Sequence, residues 1–172
     1  IPAANDTIAR GRNVASGDSI TLFFGKSEIS RVLILGGARG HYIEDKFQKS
    51  GEVLPETTYY NAHEIDYLVA DRLIKLHDNA RLRYENMALE SGQINYDTNE
   101  EIMIAEGIIE QTDSGEVLIQ KPVLREDSDE LFGQRMAYNI RTRRGKVELG
   151  KTEFENGFYE GKELRQVDKD VL

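Results

Sequence analysis

The sequence predicts an all-β fold, a jellyroll or β-roll of stacked antiparallel hairpins with an apolar interior groove. Three observations point there. Apolar and polar residues alternate with period two over many short stretches, as half-buried strands require. Turn signals break those stretches at regular intervals, the spacing expected of a sandwich, barrel or roll. A degenerate hairpin unit also recurs along the chain, which marks stacked repeats.

At 172 residues, the chain is sized for a single domain over residues 1–172, with the repeat most evident over 60–160. It carries 22 Lys and Arg against 31 Asp and Glu, a net charge of −9. That balance argues against a general nucleic-acid binder, which needs basic residues to displace counterions. With 39% hydrophobic residues, the chain can bury enough apolar area to offset ordering entropy, so disorder is not expected. The absence of Cys excludes disulfides and thiolate chemistry and leaves the compartment open. No charged-then-apolar stretch at the start reads as a signal peptide.

The elements follow in order. Ser19-Ile20-Thr21-Leu22 and Arg31-Val32-Leu33-Ile34-Leu35 form a first hairpin about Lys26-Ser27. In the second, Ile65 and Tyr67 oppose Glu64 and Asp66, and after a turn over Val69 to Arg72 the return strand carries Ile74 and Leu76 around Lys75. A short helix over Ile65 to Leu76 is the alternative there, since no Gly or Pro interrupts Asp66 to Lys75. Ala80, Leu82 and Tyr84 then alternate with Arg81 and Arg83. Ile94 and Tyr96 alternate with Asn95 and Asp97, and Ile102 and Ile104 return after a Thr98-Asn99-Glu100 turn. Met136 and Tyr138 lead through an expected turn at Arg144-Gly145 to Val147 and Leu149. Further turn signals stand at Asp113-Ser114-Gly115 and Asn156-Gly157. Links between hairpins are expected at Gly36-Gly37-Ala38-Arg39-Gly40, Asn79-Ala80 and Ala105-Glu106-Gly107. One hairpin cannot bury its apolar face alone, whereas stacked neighbours share a continuous one. The ends of such a stack are open sheet edges, able to take a strand from a second copy or another protein.

Three stretches carry a resemblance: Ala62-His63-Glu64-Ile65-Asp66-Tyr67 with Asn79-Ala80, Ser91-Gly92-Gln93-Ile94-Asn95-Tyr96 with Ala105-Glu106-Gly107, and Phe132 to Asn139. Over about residues 15 to 165 this pattern resembles the organic-solvent-tolerance (OstA-like) jellyroll family of lipopolysaccharide transport, whose members include LptA, LptC and the amino-terminal region of LptD. The stretches Gly17 to Gly40 and Arg141 to Gly161 resemble the LptD region most. The resemblance implies a non-catalytic, periplasmic domain that shields the acyl chains of lipopolysaccharide and passes the lipid toward the outer membrane. Its implied partners are lipopolysaccharide and other Lpt jellyrolls, or a second copy, met head to tail through edge strands. The chain would be outer-membrane associated if it belongs to a longer LptD-like protein. No outer-membrane barrel follows in this sequence, and the cysteines that tether domain to barrel in some family members are absent.

The expected lipid groove is the inward set Ile65, Tyr67, Ile74, Leu76, Leu82, Tyr84, Leu89, Ile94, Tyr96, Ile102, Ile104, Met136, Tyr138, Val147 and Leu149. Each buried CH₂ contributes about 0.8 kcal/mol, and a Tyr ring packs on hydrocarbon while its hydroxyl stays near water. The competing reading is that these side chains simply pack as core. Arg141, Arg143 and Arg144 at one hairpin tip could meet lipid phosphates by bidentate contact, against the reading of a solvated turn. Arg81 and Arg83 face outward on one strand. The Gly36 to Gly40 run lacks the Lys and Ser/Thr of a phosphate loop and reads as a turn or bulge. Glu126 to Glu130 lacks the spacing of a calcium loop. His41, His63 and His77 are scattered, with no metal-ligand pair, so neither catalysis, a metal nor a cofactor is expected. Two other classes compete: a polymerising β-roll scaffold with a filled interior, and a carbohydrate-binding sandwich, which the lack of Trp and the inward phase of most Tyr residues disfavour.

Overall fold

The computed structural model describes residues 12–47, 53–154 and 157–166, and every regular element in them is a strand. The helical alternative over Ile65 to Leu76 is not adopted. In chain order the strands are β1 (Arg12–Ser16), β2 (Ser19–Gly25), β3 (Glu28–Phe47), β4 (Val53–Leu68), β5 (Leu73–Tyr84), β6 (Met87–Asp97) and β7 (Ile102–Glu106). They continue as β8 (Ile108–Thr112), β9 (Gly115–Ile119), β10 (Val123–Glu126), β11 (Asp129–Phe132), β12 (Arg135–Asn139), β13 (Arg144–Phe154) and β14 (Gly157–Gln166). Twelve of them form one antiparallel sheet with the path β1-β3-β4-β5-β6-β10-β11-β13-β12-β7, with β2 added on β3 and β14 on β13. Because β7 also pairs with β6, the path closes on itself at one end. At the other end β1 and β2 are edges among the described residues, and β8 and β9 form a separate hairpin.

The long strands are the main departure from the sequence reading. Gly36-Gly37 and Asn79-Ala80 do not link hairpins; they lie inside β3 and β5, which run on through them. The ladders slip at Leu35/Ala38, Asn61/Glu64 and His77/Ala80. Gly36, Gly37, Asp78 and Asn79 all take positive φ. A bulge adds a residue to one strand, bends it and increases its twist. Here the extra residues lie on β3 and β5, on either side of β4, and the slips in the three ladders align, so the sheet folds over along one line. Small residues occupy the inside of that bend: Ala38 pairs with Ala62, and Ala80 pairs with Ser91. All four are buried.

Where two halves of a sheet converge, a larger side chain has no room. Ala80→Leu is expected to lower the unfolding free energy by about 1–3 kcal/mol through overpacking. Leu at exposed Asn79 is not a suitable control, because Asn79 itself holds φ +53°; Lys75→Leu on the outer face serves instead. Urea unfolding of the two variants checks the contrast.

The turns fall largely where local chemistry puts them. Lys26 and Ser27 both take positive φ, as a two-residue hairpin turn requires. The turn of residues 69–72 joins β4 to β5, and Asp113-Ser114 joins β8 to β9. The turn expected at Arg144-Gly145 lies earlier, over residues 140–143, and Arg144 already opens β13. Its Asn139 anchors it, accepting the Thr142 backbone N–H at 2.8 Å and the Thr142 hydroxyl at 3.0 Å. Asn156 lies outside the described residues.

Candidate functional site

The folded-over sheet encloses an apolar interior. Ile65, Ile74, Leu76, Leu82, Ile94, Tyr96, Met136, Tyr138 and Val147 all point into it and are no more than 4% exposed. Tyr67 and Tyr84 pack against it while partly exposed. Three members of the expected inward set stand elsewhere. Ile102 and Ile104 lie on the opposite face of β7, whose inward residues are Met103 and Ala105, both 0% exposed. Leu149 is 51% exposed. Its φ of +49° breaks the alternation just after Val147 and turns the side chain out. The sequence reading also missed Ile34, Tyr42, Tyr60, Met87, Leu124 and Ile140, which complete the core. Tyr59-Tyr60 signals one inward ring, but not which one; Gly40, whose missing side chain leaves space for the Tyr60 ring, settles it.

Opposite the bend, the hairpin tips of the two halves face each other across a seam. One rim is tied laterally. The Thr98 N–H donates to the Arg72 carbonyl at 3.0 Å, and the Ile140 N–H donates to the Glu101 carbonyl at 2.9 Å. On the other rim, Asn86 Nδ2 donates to Asp127 Oδ1 at 2.7 Å. Arg143 crosses between the rims: Nη2 meets Glu85 and Nη1 meets Glu126, each at 2.6 Å. Tyr42 with Thr98, and Tyr96 with Thr58, add cross-seam hydrogen bonds. Between these contacts lies a cavity of about 520 Å³, with Tyr42, Thr58, Tyr96 and Ile140 reaching it from the core and Glu44, Glu56, Glu85, Arg141 and Arg143 around its mouth.

The arginines expected to meet phosphate are largely engaged. Arg141 Nε sits 2.6 Å from Glu101, whose side chain is 5% exposed. Arg143 holds the two carboxylates just described. Arg144, at the start of β13, is exposed and makes no ion pair among the described residues. The charge run alone could not show this, because the partner carboxylates lie 17 to 58 residues away in sequence.

Burial pushes the hydroxyls of Tyr60, Tyr96, Tyr138 and Tyr84 well above the ordinary tyrosine pKa, and Tyr42 and Tyr67 upward as well. For Tyr84 the Glu56 carboxylate, which accepts its hydroxyl at 2.5 Å, adds to the effect. The interior thus favours neutral phenols, as an apolar enclosure must.

At the open end the inner face is uncovered. Ile20 pairs with Ile34 and Leu22 with Val32, so both continue the inward phase. Yet they are 49% and 46% exposed. The apolar interior therefore runs out past the packed core onto β2.

A sheet bent along a line of bulges, closed at one end and enclosing an apolar interior, defines a β-jellyroll. Among solved structures it is similar to LptH from Pseudomonas aeruginosa, described as the LptA homologous periplasmic component of the conserved lipopolysaccharide transport device. The two share a TM-score of 0.56 over 80% of this chain and 82% of that one, at 7% sequence identity. At that identity the likeness is one of fold. No protein-family model and no curated protein matches the sequence.

Proposed function

We propose that this chain is a non-catalytic lipid-carrying jellyroll of the lipopolysaccharide-transport type, acting in the periplasm. The observation that carries the reading is the continuity of the apolar interior from the packed core onto the uncovered inner face of β2 at Ile20 and Leu22. An exposed apolar face on a sheet calls for a ligand or partner. Acyl chains suit it, and the jellyroll fold shared with LptH supports the choice. In this reading the acyl chains lie along the inward residues from Leu22 to Tyr138, and the seam beside Tyr42 and Ile140 parts to admit them. The edges of β1, β2 and β14, unpaired among the described residues, receive the next jellyroll, whether a second copy or an Lpt partner. The finer assignment, to an LptD-like domain serving the outer membrane, rests on the stretches Gly17 to Gly40 and Arg141 to Gly161.

The salt response tests this. Purified chain incubated with lipopolysaccharide is expected to retain most of its bound lipid when ionic strength rises from 0.1 to 1 M, since the Debye length falls from about 10 to 3 Å while apolar contact persists. Loss of nearly all binding at 1 M salt would mean that charge, not the interior, holds the lipid. A filled interior favours a second reading, a polymerising scaffold without ligand. Filament growth with no lipid bound at any salt concentration would establish it.

A further inference from the structure

The outer face of the sheet carries a second feature that the interior does not explain. Strand register sets two rows of side chains there: Arg39, Asn61, Arg81 and Glu90, and beside it His41, Tyr59, Arg83 and Ala88. Val14 and Ser16 on β1 extend the rows. The only carboxylate in them, Glu90, is already shared by Arg81 at 3.4 Å and Arg125 at 3.2 Å. Arg39 and Arg83 are exposed and make no ion pair among the described residues. This occurs in a chain of net charge −9, in which Arg31, Arg135, Arg141 and Arg143 all have carboxylate partners.

Tyr59 is 51% exposed at the centre of this patch. The Arg83 guanidinium lies 5.8 Å from its ring centroid, and the His41 ring is 5.9 Å away, tilted by 46°. These neighbours flank the ring on the outer face of β4. Beside it a depression of about 570 Å³ opens between β1, β3 and β4, bordered by Ser16, Gly37, Arg39, Tyr59, Asn61 and Arg83. That volume suits a small ligand and lies within the range of ligand pockets. Unpaired guanidinium groups suit phosphate. An exposed ring with an amide nearby suits the apolar face and hydroxyls of a sugar.

We infer that the depression beside Tyr59, with Arg39 and Arg83, binds a phosphorylated saccharide. Charge complementarity selects the anion, and the aromatic platform in a depression, rather than on a flat surface, selects a sugar over a bilayer. The inference does not depend on acyl chains entering the interior, because the site lies on the opposite face of the sheet.

The test is NMR titration of the labelled chain with glucose 6-phosphate, glucose, inorganic phosphate and, separately, phosphatidylglycerol vesicles. Glucose 6-phosphate is expected to shift the amides of Arg39, His41, Tyr59, Asn61 and Arg83. Its affinity should exceed that of glucose or phosphate at least threefold and weaken as salt rises from 50 to 200 mM. Arg83→Gln and Arg39→Gln, both at exposed positions, should each weaken it about fivefold. Arg135→Gln, on a β12 residue already paired with Glu106, should change nothing. Shifts absent from this patch, or affinity unaffected by both patch variants, would overturn the proposal. So would vesicle binding without sugar phosphate binding, which would make the patch a membrane-facing surface.

Discussion

Above pH 10 the fold is expected to lose stability steeply. Tyr60 and Tyr96 are each 3% exposed, and burial raises both hydroxyl pKa values above that of an unfolded chain. A raised folded pKa means that the folded state keeps its proton while the unfolded state releases it. Their contribution is therefore fully present below the unfolded value of about 10 and is lost as pH rises from there toward the folded values. Two such groups together give a slope of about 3 kcal/mol per pH unit in that window. Against a typical stability of about 5–15 kcal/mol, the domain should unfold within a few pH units. Tyrosine ionisation followed at 295 nm should then coincide with loss of the strand signal in circular dichroism. Early, reversible ionisation of all eight tyrosines without unfolding would contradict it.

The second large effect concerns which face is the interior. Ile94 is 0% exposed, between inward neighbours Leu76 and Ala105. Ile94→Ala is expected to cost about 2–5 kcal/mol through lost burial and a residual cavity. Ile104, across the same ladder but on the other face, pairs with Asn95 and Ala137 and is only partly buried. Ile104→Ala is expected to cost well below that, about 1 kcal/mol. Denaturant midpoints with unchanged m-values decide between them; equal losses would mean that β7 presents Ile104 inward after all.

That pair also shows how far sequence carries. Alternation fixes the phase of β5, β6 and β12, because the outward positions between their inward residues are polar or small: Lys75 between Ile74 and Leu76, Asn95 between Ile94 and Tyr96, and Ala137 between Met136 and Tyr138. Glu101-Ile102-Met103-Ile104-Ala105 is apolar on both faces, so period two cannot choose, and branched Ile draws the assignment that Met103 and Ala105 hold. Cross-strand register, Met103 beside Tyr96 and Tyr138, makes the choice, and it depends on strands distant in sequence. Bulges mislead in another way. Gly36-Gly37 and Asp78-Asn79 have turn chemistry and positive φ; locally the glycine run reads equally as a turn or a bulge and Asn79-Ala80 as a link, and the ladders on both sides select a bend within one strand. The seam was illegible for a third reason. Arg143 looks free in sequence, and its partners Glu85 and Glu126 reach it only once two hairpin tips meet. The basic outer rows were half visible, since Arg81 and Arg83 read as outward, but the sequence could not place Arg39 and Tyr59 beside them.

The proposed lipid path makes its own demand on neighbouring positions. Residues one apart on a strand face opposite sides of the sheet, so adjacent replacements share location and differ in face. Photo-crosslinking residues placed singly at Leu22, Tyr96 and Tyr138, and at their outward neighbours Thr21, Asn95 and Asn139, measure this directly in the presence of lipopolysaccharide. Adducts are expected at the three inward positions, strongest at half-exposed Leu22, and few at the three outward ones. Equal crosslinking from both faces, or none from Leu22, would contradict an acyl-chain path through the interior.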